Sequence, residues 1–147
     1  LELMFLGTYE HTLDTKGRMT IPVKFRDLVS DGAYITKGFD QNLMVLTESV
    51  FQDLFNRISS MNMANPTARD LRRLMFGNAF AVEFDKSGRI LIPQILRTHA
   101  SIDANAIILG NGTYFEVWSP EIWQGHSEKI ANSEANSERY ATLDLSL

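Results

Sequence analysis

The chain contains no cysteine, which excludes a disulfide framework, a thiol nucleophile and a cysteine-ligated zinc ribbon. Histidine is scarce too: His11, His99 and His126 stand alone, and no two have the three- or four-residue spacing of a helical metal motif. No apolar run approaches the roughly 20 residues that cross a bilayer, so no membrane partner is expected. A charged-then-apolar leader is missing, and with a thiol-free composition the expected address is cytoplasmic. Leu1, Glu2 and Leu3 precede Met4, which reads as the natural start. There is no Walker loop, no GxGxxG, no GxSxG and no sustained heptad repeat. No catalytic residue, metal ligand or cofactor is therefore expected.

Positive charge is thin and unevenly spread. The net charge of −4 hides a division, because from residue 101 onward only Lys129 and Arg139 stand against seven carboxylates between Asp103 and Asp144. The first hundred residues are left slightly basic. Within them, Asp14 to Arg26 carries Lys16, Arg18, Lys24 and Arg26 against Asp14 alone until Asp27 follows, and local fields of this kind choose partners more than a net sum does.

What the chain does have is a repeat. DTKGRMTIP, Asp14 to Pro22, returns as DKSGRILIP, Asp85 to Pro93, with five identities in nine. The register extends both ways. Upstream, Tyr9, His11 and Leu13 alternate with Thr8, Glu10 and Thr12, and Phe80, Val82 and Phe84 with Ala79, Ala81 and Glu83, which is the period of half-buried strands. Downstream, Pro22 and Pro93 each suit the first position of a short helix, in which Phe25 and Arg26 match Leu96 and Arg97. Two hairpin patterns follow, YITKGFDQNLMVLT and AIILGNGTYFEVWS, each ending at a capping residue, Thr47 or Ser119, ahead of a helix. A chain of 147 residues is long enough for one core shared by two small halves. The expected layout is residues 4–60 as a first repeat, 61–75 as a linking helix capped by Asn65, 76–127 as a second repeat, and 128–147 as an acidic tail that is mobile or packs on a neighbouring chain.

In each turn the aspartate, Asp14 or Asp85, can accept backbone N–H bonds, and the glycine, Gly17 or Gly88, supplies a left-handed backbone position. These four residues have a structural explanation. Arg18 and Arg89 do not, since packing asks for no cation at the base of a strand. With Lys16 and Lys86 beside them in the loops, two rigid hairpins presenting arginine suit contact with phosphates. The planar guanidinium can also read guanine in a major groove that admits a two-stranded ribbon. The plain alternative, that these cations only keep a turn soluble, is weakened by their duplication.

The segments MFLGTYEHTLDTKGRMTIPVKFRDL, ARDLRRLMFGNA, DKSGRILIPQILR and YFEVWSPEIW, in this order over nearly the whole chain, resemble the MraZ family of bacterial regulators within the wider AbrB-like swapped-hairpin group. The resemblance implies a mainly β fold with short helices (α+β), an internally duplicated double swapped-hairpin AbrB-like barrel. It implies a nucleoid-associated repressor of the division and cell-wall gene cluster. Such a protein assembles as a homo-oligomer, in a ring, on short repeats of double-stranded DNA in its own operon promoter. The family's DNA-contacting arginine falls on Arg18, with Arg89 as its counterpart; Lys16, Lys86, Lys24 and Arg26 are the assisting cations.

Other groupings are weighed against plainer roles. Asp14 and Asp85 could form a catalytic carboxylate pair, whose shared site would raise one pKa, but each already has a turn to build. His11 and His99 read as partly buried or interface residues, and Trp118, Trp123, Phe51 and Phe55 as packing residues. Arg69, Arg72 and Arg73 could touch DNA or pair with a neighbour's acids. A second reading of the whole chain is an antitoxin-like module that binds a protein partner.

Overall fold

The computed structural model describes residues 4–145; Leu1 to Leu3, ahead of the start expected at Met4, and the last two residues of the LDLSL ending lie outside them. The repeated sequence produces a repeated order of elements. In the first half, β1 (Thr8–Thr12) and β2 (Arg18–Thr20) flank the Asp14 turn, then α1 (Val23–Leu28), the hairpin β3 (Ala33–Lys37) and β4 (Leu43–Thr47), and α2 (Glu48–Ser59) follow. After α3 (Pro66–Phe76) come β5 (Phe80–Ala81), β6 (Arg89–Leu91), α4 (Gln94–Ala100), β7 (Asn105–Gly110), β8 (Tyr114–Trp118) and α5 (Pro120–Ile130). A last helix, α6 (Ser133–Arg139), lies in the acidic tail, where Asn132 caps it through the Ala135 amide.

The local signals act as their chemistry requires. Thr47 and Ser119 accept from the amides of Val50 and Ile122, and Asn65 from Thr67, satisfying donors that a helix start leaves open. Pro22 and Pro93 sit one position earlier than expected. Their backbones are extended (ψ 141° and 146°), so each serves as the cap and the helix begins after it. A proline ring fixes φ and not ψ, which leaves that choice to the preceding strand.

The closed, mainly β barrel implied by the resemblance is not what the chain forms. The strands make two open antiparallel sheets, one of six in the order β1-β7-β8-β4-β3-β5 and one of two, β2-β6, and helices hold more residues than strands. The ladder fails to close for a definite reason. β2 and β6 pair only with each other, over three residues, and reach their neighbours through single bridges, Leu13 to Met19 and Phe84 to Ile90. β5 has only two residues on β3, so the edges of the large sheet stay apart.

Pairing nevertheless joins the halves: β1 lies on β7, β5 on β3 and β2 on β6. The main core fills from both. Phe5, Phe25 and Phe115 meet with ring centroids 5.1 to 5.4 Å apart, and Met19, Ile21, Ile90 and Ile92 enter from the two-stranded ribbon almost fully buried. Burying side chains of this size contributes roughly 1.5–3 kcal/mol each. This anchors one face of the ribbon and turns its alternate residues outward. A second cluster, Met44, Leu46, Ile58 and Met75, seats α2 and α3 on the sheet, where buried Thr36 donates to the Met75 carbonyl at 2.7 Å.

Candidate functional site

Each Asp-x-x-Gly-Arg turn is closed by the same set of bonds. In the first, the Gly17 amide donates to the Asp14 carbonyl at 3.0 Å, and Asp14 Oδ1 accepts from the amides of Lys16 and Arg18, both at 2.9 Å. In the second, Gly88 donates to the Asp85 carbonyl at 3.1 Å, and Asp85 Oδ1 accepts from Ser87 and Arg89 at 2.9 Å. Gly17 and Gly88 have φ of 85° and 74°, the left-handed region that glycine adopts without strain.

The arginines also belong to the turns. Arg18 Nε donates to Asp14 Oδ2 at 2.6 Å, and Arg89 Nε to Asp85 Oδ2 at 2.8 Å. The β2–β6 register sets Met19 opposite Ile90, with Arg18 opposite Leu91 and Thr20 opposite Arg89. Both arginines therefore rise from the outward face of one short ribbon. There Arg89 Nη1 reaches across to Asp14 Oδ2 at 3.2 Å. Their side chains remain 35% and 30% exposed. A crevice of about 150 Å³, lined by Arg18, Glu83, Phe84, Asp85, Arg89 and Leu91, opens beside them.

This geometry settles the electrostatics of the carboxylates. The Arg18 amide foremost, helped by its guanidinium and the Lys16 amide, holds Asp14 down from 3.8 to about 2. The Arg89 amide foremost likewise lowers Asp85. Arginine links Asp14 and Asp85 without making them a proton-sharing pair, which would have raised one of them.

Lys16 and Lys86 are exposed at the turns, and Lys24 is exposed on α1, tied to neither turn by a hydrogen bond or ion pair among the described residues. Arg26 crosses to the other half. Its guanidinium lies so close to Gly88 that a Cβ there would meet Cζ at 2.7 Å. Arg97 does the same over Gly17, with its Nε donating to the Ile92 carbonyl at 2.9 Å. The sequence register already equated Arg26 with Arg97. What it lacked was any local sign that each arginine braces the opposite turn.

The remaining candidates have structural employment. Arg72 donates to the carbonyls of Ile58, Ser59 and Met61, and Arg69 to Met63 and Ala64, so both fasten the α2–α3 connection; Arg73 pairs with Asp70. Trp118 is buried and donates to Glu116 at 3.0 Å, while His126 lies against Trp118 with centroids 5.1 Å apart. Phe51 stacks on Tyr34 at 4.3 Å, whereas Phe55 leaves 42% of its surface exposed. His11 and His99 are half-buried, and burial lowers the His11 pKa. Among the described residues no cluster of three metal-capable side chains occurs, and no helix is long and apolar enough to cross a membrane.

Paired arginines on a short, duplicated ribbon, with exposed lysines in the flanking turns, make this a small cationic surface on an acidic chain. The family described as "MraZ protein, putative antitoxin-like" matches this chain twice, at residues 4–74 and 75–145. The chain is also similar to proteins named "Transcriptional regulator MraZ". That of Herpetosiphon aurantiacus is 47% identical over 129 residues, covering 88% of this chain and 90% of the relative. The Roseiflexus castenholzii protein is 43% identical over 141 residues, with 95% and 99% covered, and that of Leuconostoc mesenteroides 38% over 143, with 97% and 100% covered. The chain belongs to the MraZ family. These relatives bear the name of a regulator, not of an enzyme.

Proposed function

We propose that this protein is a DNA-binding transcriptional regulator, a repressor that contacts double-stranded DNA through the outward face of the β2–β6 ribbon. The observation that carries the reading is that Arg18 and Arg89, far apart in sequence, stand on one ribbon with each Nε held by a carboxylate of its own turn. A guanidinium anchored at Nε is held in one orientation; among the described residues Arg18 keeps both terminal nitrogens for a phosphate or the O6 and N7 of guanine, while Arg89, whose Nη1 is bonded to Asp14, keeps Nη2 for a phosphate. Lys16 and Lys86 add phosphate contacts from the turns, with Lys24 and Arg26 at the flanks. The relatives' name, transcriptional regulator, supports the same reading.

So small a cationic face on a chain of net charge −4 binds a single DNA site weakly. Several protomers, arranged in a ring on closely spaced repeats upstream of the protein's own operon in the division and cell-wall cluster, supply affinity by making later contacts intramolecular. The test is fluorescence anisotropy of a duplex carrying those repeats, beside a scrambled duplex, across a salt series. Specific, salt-sensitive binding that collapses in Arg18→Ala and in Arg89→Ala is the expected result, and a protomer-interface variant should weaken binding as badly. Equal binding to both duplexes would leave the turns as scaffold.

A further inference from the structure

Beside the second turn lies a shallow groove of about 430 Å³, lined by Arg26, Ser30, Phe84, Asp85, Lys86 and Ser87. Two differences from the first half set it apart. Arg26 and Arg97 are equivalent, and each lies over the opposite turn's glycine. Yet Arg97 Nε donates to a carbonyl, whereas Arg26 Nε is buried with no acceptor among the described residues, and no carboxylate there forms an ion pair with it. The second difference is the flank of the turn. Leu13, ahead of the first turn, is 7% exposed, while its counterpart Phe84 is 39% exposed, because β5 ends at Ala81 where β1 runs on to Thr12. The flank that Leu13 closes in the first half stands open in the second.

The charges facing this groove do not cancel. Asp85 is already committed to Arg89 and to two backbone amides. Ser30 spends its proton on the Asp27 carbonyl. Arg26 and Lys86 are left as two cations without an ion-pair partner among the described residues, and Ser87 shares the lining with them. A planar guanidinium and a compact ammonium on one concave surface match an anion with several oxygens and more than one charge.

We propose that this groove is a phosphate site, in which Arg26 supplies the fork, Lys86 a second charge and Ser87 a hydroxyl. A backbone phosphate of bound DNA and a free phosphate or phosphorylated small molecule present the same chemistry. The first arm of the test is independent of the DNA reading; the second arm rests on it.

In the first arm, the Arg26 Nε–H resonance and the amides of both turns are followed in the isotope-labelled full chain while inorganic phosphate replaces chloride at constant ionic strength. A saturable shift at Arg26 and at Lys86 to Gly88, but not at Lys16 to Arg18, is expected. Lys86→Gln, at an exposed position that leaves the fold intact, should weaken it roughly tenfold, as loss of one charge-assisted contact would. No shift, a shift that does not saturate, or equal movement at both turns overturns the site. In the second arm the promoter duplex is added without phosphate. If the same resonances move and phosphate competes with the duplex, the occupant is a DNA phosphate. If they move with phosphate alone while the duplex binds elsewhere, the occupant is a small phosphate. Either source upholds the site, and failure of the duplex to bind at all leaves the first arm standing.

Discussion

Arg89 Nη1 donates to Asp14 Oδ2 at 3.2 Å, a contact between residues 75 apart in sequence that ties the two turns together. Arg18 makes no matching contact to Asp85 among the ion pairs of the described residues. The pseudo-symmetry of the turns is therefore broken at the ribbon. Asp14 holds two guanidinium groups and two amides, while Asp85 holds one guanidinium and two amides. Arg18 commits only Nε, and Arg89 commits both Nε and Nη1.

Asp14 should then matter more to DNA contact than Asp85. An asparagine keeps one acceptor oxygen but replaces Oδ2 with a donor, so Asp14→Asn loosens both arginines and Asp85→Asn only one. Anisotropy with the promoter duplex at fixed salt should show a loss on the order of tenfold for Asp14→Asn, the size of one charge-assisted bond, and a smaller loss for Asp85→Asn. Equal losses would dismiss Asp14 as the shared anchor.

The same carboxylates set an acid limit. A carboxyl whose folded pKa is depressed stabilises the fold fully above its unfolded value, and that stability is lost as pH falls through the folded value. For Asp14 the window runs from 3.8 down to about 2, and Asp85 shifts in the same direction. Denaturant midpoints measured across this range should fall, and the fall should be shallower in Asp14→Asn. Glu116 has the opposite sign: burial raises its pKa, so its ionisation costs stability as pH rises through the raised value. Glu116→Gln, which can still accept from Trp118, should remove that penalty at neutral pH.

Gly17→Ala separates two effects that a turn glycine combines. Gly17 and Gly112 both have positive φ, 85° and 82°, so alanine pays backbone strain of roughly 1–3 kcal/mol at either. At Gly112 a Cβ meets nothing within 4 Å, but at Gly17 it meets Arg97 Nε at 2.6 Å. Urea unfolding should show Gly17→Ala as the more damaging change. Near-equal midpoints would mean that Arg97 moves aside freely.

Much of this was legible locally. Alternation in TYEHT, the caps at Thr47, Asn65 and Ser119, and the Asp and Gly of the repeated turn each act within a few residues, and the chain obeys them. The unread features all depend on contacts across the halves. Whether a sheet closes is decided by how far β5 follows β3, and Phe80, Val82 and Phe84 alternate correctly without carrying the ladder past Ala81. Arg26 and Arg97 show their register but not the turns they cover.

Arg72 distinguishes a structural arginine from a DNA-contacting one. Its guanidinium donates to the Ile58 and Ser59 carbonyls at 3.2 and 2.9 Å and to Met61 at 3.0 Å, taking up acceptors at and just beyond the end of α2. Ile58 is buried beside Met75, so loosening this connection also disturbs the second core. Arg72→Ala should cost about 1 kcal/mol in chemical unfolding, as expected when partly exposed carbonyls lose a donor that water can replace. Measured below its unfolding range, the variant should bind the promoter duplex with the parent's affinity and the parent's salt slope. A slope lower by about one would instead place Arg72 on a phosphate and move part of the DNA face onto α3.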